Sequence, residues 1–576
     1  QHLRLQLSCV AKMDGVPILR RLQRHASAGI TCAAVDTGKE VTQRQISYSE
    51  LLGQVTKVAQ SIEALLAGRA ADLPRHVAYL VNPSIAYVVT ELSVWACGAL
   101  CVPLSVHSPA PELEYFLKDS ESCLCLADAS MESKLRPVAE KLGRAYATIH
   151  LSATSGPPDY ELKAKGSSVA PAKPQVEESS WFSCFDGLLW DNKVLDDNAL
   201  ILYTSGTTGQ PKGVVHTFRS LTSQMESLSE AWKWSSSDRT LHVLPLHHIH
   251  GVQNILNTAL FNGAAVEFTP FDAGFCLKRL TSGDMTCFHA VPTVYVKFTQ
   301  YLDKLDAAAK AEICKGLRNS SLRYMVSGSA ALPVPTMKSW AEISGHVLLE
   351  RYGMTEIGMA LSNNLEGTRY PGCVGWPLPQ CQAKLDEDGG ILVKGGPVFK
   401  EYYKREEATA KEFNADGWFR TGDSASIGGA SEDMQKMQDD ARDVEAASGR
   451  PKSQTTVEAA APLASIFKIL GRSSVDIIKS GGYKISGLEI ESVLLQHDKI
   501  KECAVIGKPD ETWGEKVTAV CVMENGVLTI EELRKWGKER LASYKVPQEL
   551  EIVKELPRNQ MGKLEKKKLL ERYKPQ

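Results

Sequence analysis

A run of hydroxyl-bearing residues and glycines, followed by a lysine, could bind phosphate. Residues 201–213 read ILYTSGTTGQPKG, in which a β-branched and aromatic strand leads into a loop. Hydroxyl groups and freely oriented backbone N–H groups in such a loop can surround phosphate oxygens, and Lys212 would add a positive charge. The run lacks the Walker A spacing, which disfavours a P-loop nucleotide hydrolase. We predict an anion-binding loop, with a flexible turn as the alternative. Its residues are Thr204, Ser205, Gly206, Thr207, Thr208 and Gly209.

Two later segments supply groups that suit the rest of a nucleotide. In ERYGMTE, residues 350–356, Tyr352 offers an aromatic face for a base and Glu356 offers the hard oxygen ligand that Mg²⁺ prefers. In DGWFRTGD, residues 416–423, Asp423 has the two acceptor oxygens needed to bind both hydroxyls of a ribose. Surface turns are the alternative interpretation of both segments.

Short apolar runs predict the strands that must position these residues, and helical patterns alternate with them. This alternation predicts an α/β sheet layered with helices. Near the C-terminus, Thr529 and Glu532 form a capping box that predicts a helix start. The predicted strands are 77–81, 124–127, 200–203, 241–244, 265–268, 322–326, 503–506 and 517–522.

Five motifs in a fixed order carry a family resemblance. The three segments above are followed by GRSSVDIIKSGGYKISGLEIE at 471–491 and PRNQMGK at 557–563. From about residue 48 to residue 573 the chain resembles the adenylate-forming superfamily of acyl-CoA synthetases, luciferases and peptide-synthetase adenylation domains. The resemblance implies an α/β fold, in which a large N-terminal adenylation domain of layered sheets and helices precedes a small mobile α+β C-terminal domain.

We expect five segments along the chain. Residues 428–461 are acidic, rich in Ala, Ser and Gln, and nearly free of large apolar side chains, which predicts a mobile loop. The segments are an N-terminal leader and first helix at 1–35, the adenylation domain at 36–423, an insertion and connecting hairpin at 424–470, a hinge at 471–476 and the mobile C-terminal domain at 477–576.

The resemblance assigns roles around ATP. It implies that Tyr352 stacks on the base, Thr355 touches the α-phosphate, Glu356 binds Mg²⁺ and Asp423 holds the ribose. The expected ATP-binding residues are Thr204, Ser205, Gly206, Thr207, Thr208, Gly209, Tyr352, Gly353, Met354, Asp423 and Arg472.

The resemblance also implies a two-step reaction that uses ATP, Mg²⁺ and coenzyme A. A carboxylate attacks the α-phosphorus to give an acyl-adenylate and pyrophosphate, and the thiol of coenzyme A then displaces AMP. Lys563 is expected to enter the cleft and bridge the two anions, because a mobile cation offsets their repulsion. The expected catalytic residues are Lys563, Lys212, Thr355 and Glu356.

The small domain is expected to rotate between the two steps. Asp476 is the predicted hinge residue, where the backbone change is absorbed. A glycine-rich loop would then line the pantetheine tunnel, because glycines leave room for a thiol-bearing arm. The predicted CoA-binding residues are Ser480, Gly481, Gly482 and Tyr483.

Two arginines precede segments that are expected to line the acid pocket. A dicarboxylate must find a partner for its second carboxylate, and Arg can meet it with a bidentate fork. Arg323 precedes YMVSGSAALP, Arg351 precedes YGMTE, and LPLHHIHG occupies 244–251. This combination resembles the malonyl-CoA synthetases of the family, which implies malonate and methylmalonate as acids.

Arg323 is our first choice for the distal carboxylate, with Ser327, His250 and Arg351 as helpers, and His248 is expected to gate the acyl pocket. The alternatives are structural ion pairs for the arginines and core packing for His248. Two other functions remain open. One is a medium-chain or other carboxylate acyl-CoA synthetase, whose pocket arginines would turn away from the cleft; the other is a non-catalytic adenylate-binding protein.

Composition limits the remaining possibilities. The 576 residues carry 66 Lys and Arg against 68 Asp and Glu, which gives no electrostatic reason to expect nucleic acid. The 14 Cys residues form no C-x-x-C pair, which favours reduced thiols that fill the core. The most apolar stretch, residues 85–106, contains Glu91, which predicts a buried helix and strand rather than a membrane span. We expect a monomer or homodimer whose partners are ATP, coenzyme A and a small dicarboxylate.

The opening 26 residues are basic, which is typical of a mitochondrial transit peptide and predicts the mitochondrial matrix. An exposed basic first helix is the alternative. The charged residues are Arg4, Lys12, Arg20, Arg21 and Arg24 against Asp14.

Overall fold

The structure, a computed structural model, describes most of the chain. Of the predicted site residues, 205–209, Gly482 and Lys563 lie outside the described ranges. The described residues are 16–37, 44–67, 72–152, 158–164, 192–204, 210–428, 431–449, 463–473, 475–481, 483–510, 512–558 and 564–573.

A sheet of nine strands, counted over the described residues, forms the centre of the large domain. Its strands Arg239–His242, Cys287–Ala290, Tyr324–Ser327 and Leu349–Met354 run parallel as neighbours. Their carboxyl ends therefore meet at one edge, where ligands bind in open α/β sheets. The spatial order is Trp376–Pro377, Gly358–Ser362, Leu349–Met354, Tyr324–Ser327, Cys287–Ala290, Arg239–His242, Ala265–Phe268, Ala34–Asp36 and Arg44–Ile46.

A second sheet, with eight strands in the described part of the chain, carries the predicted phosphate loop. Strands Asn198–Thr204 and Lys212–Thr217 pair antiparallel on either side of that loop. The spatial order is Glu401–Tyr402, Lys212–Thr217, Asn198–Thr204, Leu100–Pro103, His76–Leu80, Leu124–Asp128, Ala145–Ser152 and Asp159–Ala164.

One apolar core joins the two sheets, with helix Ile85–Ala96 in it. This helix begins where Ser84 Oγ accepts a hydrogen bond from the Tyr87 N–H. Its Glu91 is 1% exposed, and burial raises the pKa of this carboxyl to about 8, so it is neutral at pH 7. Strand Leu100–Pro103 follows, which confirms the predicted buried helix and strand.

Helices account for much of the remaining structure. None of those in the described ranges combines the length and apolar character that a membrane span requires. The longer helices are Pro17–Ser27, Tyr48–Ala67, Ile85–Ala96, Ala110–Asp119, Glu132–Lys141, Phe218–Trp232, Ala273–Leu280, Pro292–Leu302, Ala307–Arg318, Val334–Ser344, Glu406–Glu412, Ser431–Ser448, Gly487–Leu494, Ile530–Lys538 and Lys566–Glu571.

A smaller sheet leads from the large domain toward the C-terminal domain. Strands Phe419–Ile427 and Phe467–Arg472 form an antiparallel pair on either side of the insertion. The other two strands of this sheet, within the ranges described, are Cys381–Leu385 and Gly390–Gly395.

The C-terminal domain has its own sheet and core. The capping box predicted at Thr529 and Glu532 is confirmed, since each side chain accepts a hydrogen bond from the other residue's backbone N–H. The strands of this sheet are Tyr483–Ser486, Ile477–Ser480, Gly514–Met523, Ile500–Asp510 and Glu549–Ile552. The predicted α/β class with a large and a small domain is therefore confirmed.

The first helix belongs to the large domain. In helix Pro17–Ser27, the side chains of Ile18, Leu19 and Leu22 are buried in the core shared by the two sheets. The start of this domain, predicted at residue 36, is therefore placed too late.

The insertion also differs from its prediction. Residues 431–448 form a helix, whereas a mobile loop was expected. Ala441 and Val444 on this helix are buried, and Val444 joins the core around helix Val334–Ser344. Met437 lies beside Cys373, with 3.8 Å between the two sulfur atoms. The prediction failed because a few small apolar residues on one helical face are enough to hold this helix against the large domain.

We expect Val444→Ala to lower the free energy of unfolding by about 1–3 kcal/mol, because it removes two buried methyl groups and leaves a cavity. Val527→Ala is the matched control, since Val527 is 72% exposed. Urea unfolding followed by tryptophan fluorescence measures both. Equal effects of the two substitutions would show that the helix is not packed.

Candidate active site

A cluster of buried polar residues, which we call the candidate acid pocket, lies at the carboxyl ends of the central parallel strands. Ser327 ends one strand and pairs in register with Ala290 and Glu350 on its neighbours. The hydroxyl of Ser327 is buried and has no hydrogen-bond partner among the described residues. Arg351 follows Glu350 on the adjacent strand. This edge of the sheet thus brings together two segments that sequence analysis assigned to the acid pocket.

Arg351 is a buried cation with no counter-charge among the described residues. It is 4% exposed, and no carboxylate of the described residues forms an ion pair with it. Its Nη2 donates a hydrogen bond to Ser329 Oγ at 3.3 Å, whereas its Nε has no partner within the described ranges. Burial lowers the pKa of this guanidinium to about 9, which leaves it charged at neutral pH. Since an unpaired buried charge is costly, the geometry favours an anionic ligand here.

Gly328 makes room for this guanidinium. A Cβ added at Gly328 would lie 2.3 Å from Arg351 Nε and 2.5 Å from its Cζ. The next residue, Ser329, has a φ of 66°, in the left-handed region that few non-glycine residues adopt. The backbone turn at 328–329 therefore both lets the arginine pass and supplies the hydroxyl that it contacts.

The histidines around Arg351 are neutral. Burial lowers the pKa of His250 and of His289 well below 6.5, and the positive charge of Arg351 lowers both further. Ser329 Oγ accepts from Arg351, so its proton is available to His250 Nδ1 at 3.1 Å. The other ring nitrogen of His250, Nε2, has no partner among the described residues. The pocket therefore offers one positive charge and additional neutral donors.

His248 is the N-cap residue of the short helix Ile249–Gly251. Its ring is 4.1 Å from that of His247, and burial lowers its pKa to about 4. It is therefore neutral at pH 7. Its predicted gating role stays a prediction.

Arg323 does not reach this pocket. It lies at the amino end of strand Tyr324–Ser327, where its Nη2 is 2.9 Å from both carboxylate oxygens of Asp238 and its Nε is 3.0 Å from Asp238 Oδ1. Asp238 precedes strand Arg239–His242, also at the amino edge. The assignment of Arg323 to a distal substrate carboxylate is therefore wrong, because its guanidinium is already paired at the opposite end of the strand.

The residues predicted to hold adenosine lie on the other side of the same strand. The hydroxyl of Tyr352 donates to Asp423 Oδ2 at 2.7 Å. Arg472 Nε lies 3.5 Å from Asp423 Oδ1. Because successive strand residues point to opposite faces, Arg351 and Tyr352 place the anion pocket and the nucleotide residues on two sides of one peptide.

Glu356 and Lys212 meet through a tyrosine that sequence analysis missed. The hydroxyl of Tyr402 donates to Glu356 Oε1 at 2.9 Å, and Lys212 Nζ lies 4.2 Å from the centre of its ring. The backbone carbonyl of Thr355 accepts from His216 Nε2 at 2.7 Å. Tyr402 occurs in EYYKREEAT, and nothing in that segment alone marks it as a site residue.

The donor set around Glu356 suits Mg²⁺ bound together with a nucleotide. No group of three or more His, Cys, Asp or Glu side chains able to hold a metal occurs in the described ranges. Mg²⁺ in nucleotide sites is held by one or two carboxylates plus substrate phosphates and water. A single buried carboxylate, connected to Lys212 through Tyr402, fits that pattern.

The other predicted residues are placed as follows. Gly353 and Met354 continue the strand of Tyr352, and Thr204 Oγ1 contacts the Lys212 carbonyl oxygen at 3.5 Å. Ser480 is the last residue of one strand and Tyr483 is the first residue of the strand paired with it. The Gly481 N–H donates to the Trp513 carbonyl at 2.9 Å. Next to Tyr483, Lys484 Nζ lies 2.9 Å from Asp388 Oδ1.

Comparison with known proteins finds one family along the chain and several similar proteins. Residues 23–403 match the family model described as AMP-binding enzyme, and residues 489–563 match its C-terminal domain. The chain is 38% identical over 565 residues to the mitochondrial malonate–CoA ligase ACSF3 of Mus musculus, covering 92% of this chain and 87% of the mouse protein. It is also 38% identical over 546 residues to a malonate–CoA ligase of Arabidopsis thaliana, covering 90% of this chain and 80% of that protein. ATP-bound MatB from Rhodopseudomonas palustris aligns with a TM-score of 0.73 and 27% identity, covering 96% of this chain and 98% of MatB.

We expect Gly328→Ala to weaken binding of a small dicarboxylate about tenfold or more, because the added Cβ displaces the Arg351 guanidinium. Malonate is the probe, and its affinity and that for ATP are measured separately by calorimetry. Gly53→Ala is the matched control, since a Cβ added there meets nothing within 4 Å. Unchanged malonate affinity in Gly328→Ala would contradict the role of this glycine.

Proposed function

Because the chain belongs to the AMP-binding enzyme family, we propose that it ligates malonate, and also methylmalonate, to coenzyme A at the expense of ATP. The single observation that supports the choice of acid is the buried Arg351, which has no carboxylate partner among the described residues. A diacid would supply that partner while its other carboxylate faces the nucleotide side of the strand.

The reaction proceeds in two half-reactions. A malonate carboxylate oxygen attacks the α-phosphorus of ATP, the bond to the β-phosphate oxygen breaks, and pyrophosphate leaves. The sulfur of coenzyme A then attacks the acyl carbon of malonyl-adenylate, and AMP leaves with the oxygen that joined it to the acyl group. No covalent bond to the protein is needed, so catalysis rests on positioning and charge stabilisation.

Each half of the site has a proposed task. Arg351, assisted by Ser327 and His250, holds the distal carboxylate and fixes the position of the reacting one. Tyr352 and Asp423 hold adenosine, and their mutual hydrogen bond orients both side chains before ATP binds. Lys212, Thr355 and the phosphate loop stabilise the triphosphate, and Lys563 bridges it to the acid.

Glu356 is the proposed ligand of Mg²⁺, which when bound would neutralise phosphate charge. The hydrogen bond from Tyr402 holds Oε1 of this carboxylate in place and would orient the carboxylate for Mg²⁺. Loop residues Ser480, Gly481, Gly482 and Tyr483 are proposed to admit the pantetheine arm in the second half-reaction, and Asp476 is the proposed hinge residue.

A medium-chain acyl-CoA synthetase is less compatible with this pocket. An aliphatic tail placed against Arg351 would bury the guanidinium without a partner, which costs several kcal/mol in effective terms. A non-catalytic adenylate-binding protein would not require a cation at the far end of an acid pocket.

We also propose that the protein acts in the mitochondrial matrix. Support comes from the basic composition of the first 26 residues and from the mitochondrial location that the name of the mouse relative states. Fractionation of cells with an antibody against the protein tests this, and recovery outside mitochondria would contradict it.

We expect Arg351→Lys to lower kcat/KM for malonate roughly 100-fold while the KM for ATP changes little, because an ammonium cannot reproduce the bidentate contact. The rate of pyrophosphate release is measured with malonate, methylmalonate, acetate and octanoate. Arg323→Lys is the matched control: it keeps a cation beside Asp238 and should leave kcat/KM within about threefold of wild type. Equal effects of the two substitutions would refute the assignment of Arg351.

We expect Tyr402→Phe to raise the Mg²⁺ concentration for half-maximal pyrophosphate release about tenfold, since loss of the hydroxyl frees the Glu356 carboxylate. The retained ring still contacts Lys212. Tyr403→Phe is the matched control, because the Tyr403 hydroxyl donates to Glu121 instead, at 2.8 Å. An unchanged Mg²⁺ requirement in Tyr402→Phe would contradict this role of Tyr402.

A further inference from the structure

Lys566 is buried between two carboxylates of the small domain. It is 5% exposed, and its Nζ lies 2.7 Å from Asp476 Oδ1 and 2.6 Å from Glu491 Oε1. Although burial acts to lower it, the pKa of Lys566 is raised by the charges of Glu491 and Asp476. The three side chains therefore form a buried ion cluster, which we call the lysine triad.

Each carboxylate of the lysine triad is also bound by backbone. Asp476 Oδ2 accepts from the Arg472 N–H at 3.0 Å, and Glu491 Oε1 accepts from the Val505 N–H at 2.6 Å. The Asp476 carbonyl accepts from the Gly487 N–H at 2.8 Å. Asp476 therefore joins two parts of the chain: its side chain and N–H bind the backbone of Arg472, while Lys566 and the Gly487 N–H bind it from the small domain.

The residues just before Asp476 are held by the large domain. Ser473 Oγ lies 2.7 Å from Ser424 Oγ, and the guanidinium of Arg472 lies beside Asp423. Asp476 is thus bonded both to Arg472 on the large-domain side and to Lys566 and Gly487 on the small-domain side. A rotation of the small domain would have to change the contacts of Asp476 on one of these two sides.

The lysine triad also reaches the C-terminal segment. Lys566 begins the helix Lys566–Glu571, and it follows Lys563 by three residues in the sequence. Three residues of fully extended chain span at most about 11 Å. Because Lys566 pairs with the predicted hinge residue Asp476, it limits the distance between Lys563 and Asp476.

We propose that Lys566 is a positioning residue for the adenylation half-reaction: by holding Asp476 and Glu491 it fixes the segment that carries Lys563 to the hinge side of the small domain. The inference rests on the proposed ligase activity and on the proposed role of Lys563. Glu491 and Asp476 act in it as anchors and touch no substrate.

The test compares Lys566→Met with Lys568→Met, whose parent lysine is exposed on the same helix and pairs with Glu565. The rate of malonate-dependent exchange of labelled pyrophosphate into ATP is measured at varied ATP. We expect Lys566→Met to lower kcat at least tenfold, with the KM for ATP within twofold of wild type, because binding groups remain while Lys563 loses its anchor. Lys568→Met should match wild type, and Lys566→Arg should recover part of the lost kcat.

Folding is controlled by a second variant. Lys566→Met leaves two buried carboxylates without their cation, whereas Lys566→Met with Glu491→Gln restores the net charge of the lysine triad and keeps an acceptor for the Val505 N–H. Circular dichroism at the assay temperature shows which of these two variants is folded like the wild type. The kcat of that variant is the one compared with wild type. A kcat within twofold of wild type, or a raised KM for ATP with kcat unchanged, overturns the inference; absence of malonate-dependent exchange in the wild-type protein instead overturns the proposed function.

Discussion

The active centre depends on one cation that the described part of the protein does not neutralise. Arg351 is buried at the carboxyl edge of the central sheet, beside histidines that burial keeps neutral. A desolvated positive charge of this kind raises the free energy of the empty site, and an acid with a second carboxylate removes that cost on binding. We propose that selectivity for a diacid follows from this charge, for which Gly328 leaves room.

Arg323 and Arg351 show which part of a site prediction comes from local sequence and which part requires the topology of the fold. Arg323 and Arg351 each stand directly before a motif of the acid pocket, so local sequence gives no reason to prefer either. In the fold they lie at opposite ends of neighbouring parallel strands, and ligands of open α/β sheets bind at the carboxyl edge, where Arg351 lies. Asp238, whose carboxylate pairs with Arg323, lies 85 residues earlier in the chain, and no spacing rule links the two.

Much of the fold could be predicted because strand runs, helix caps and motif order are local features. The buried helix at Ile85–Ala96 and the capping box at Thr529 were visible in this way. The helix at 431–448 was missed because composition was given more weight than spacing: Met437, Ala441 and Val444 recur at four and three residues, the period of one helical face. The lysine triad and the contact between Tyr402 and Glu356 join residues 46 to 90 positions apart, which no local pattern encodes.

The adjacency of Arg351 and Tyr352 has an evolutionary consequence. In the proposed roles of these two residues, one peptide unit would set the spacing between the bound acid and the nucleotide, so this distance would not drift by gradual loop changes. Substitutions at 328 or 351 would then alter the preferred acid without changing the ATP half. New substrate ranges would arise from few mutations, because the proposed acid and nucleotide residues lie on opposite faces of a single strand.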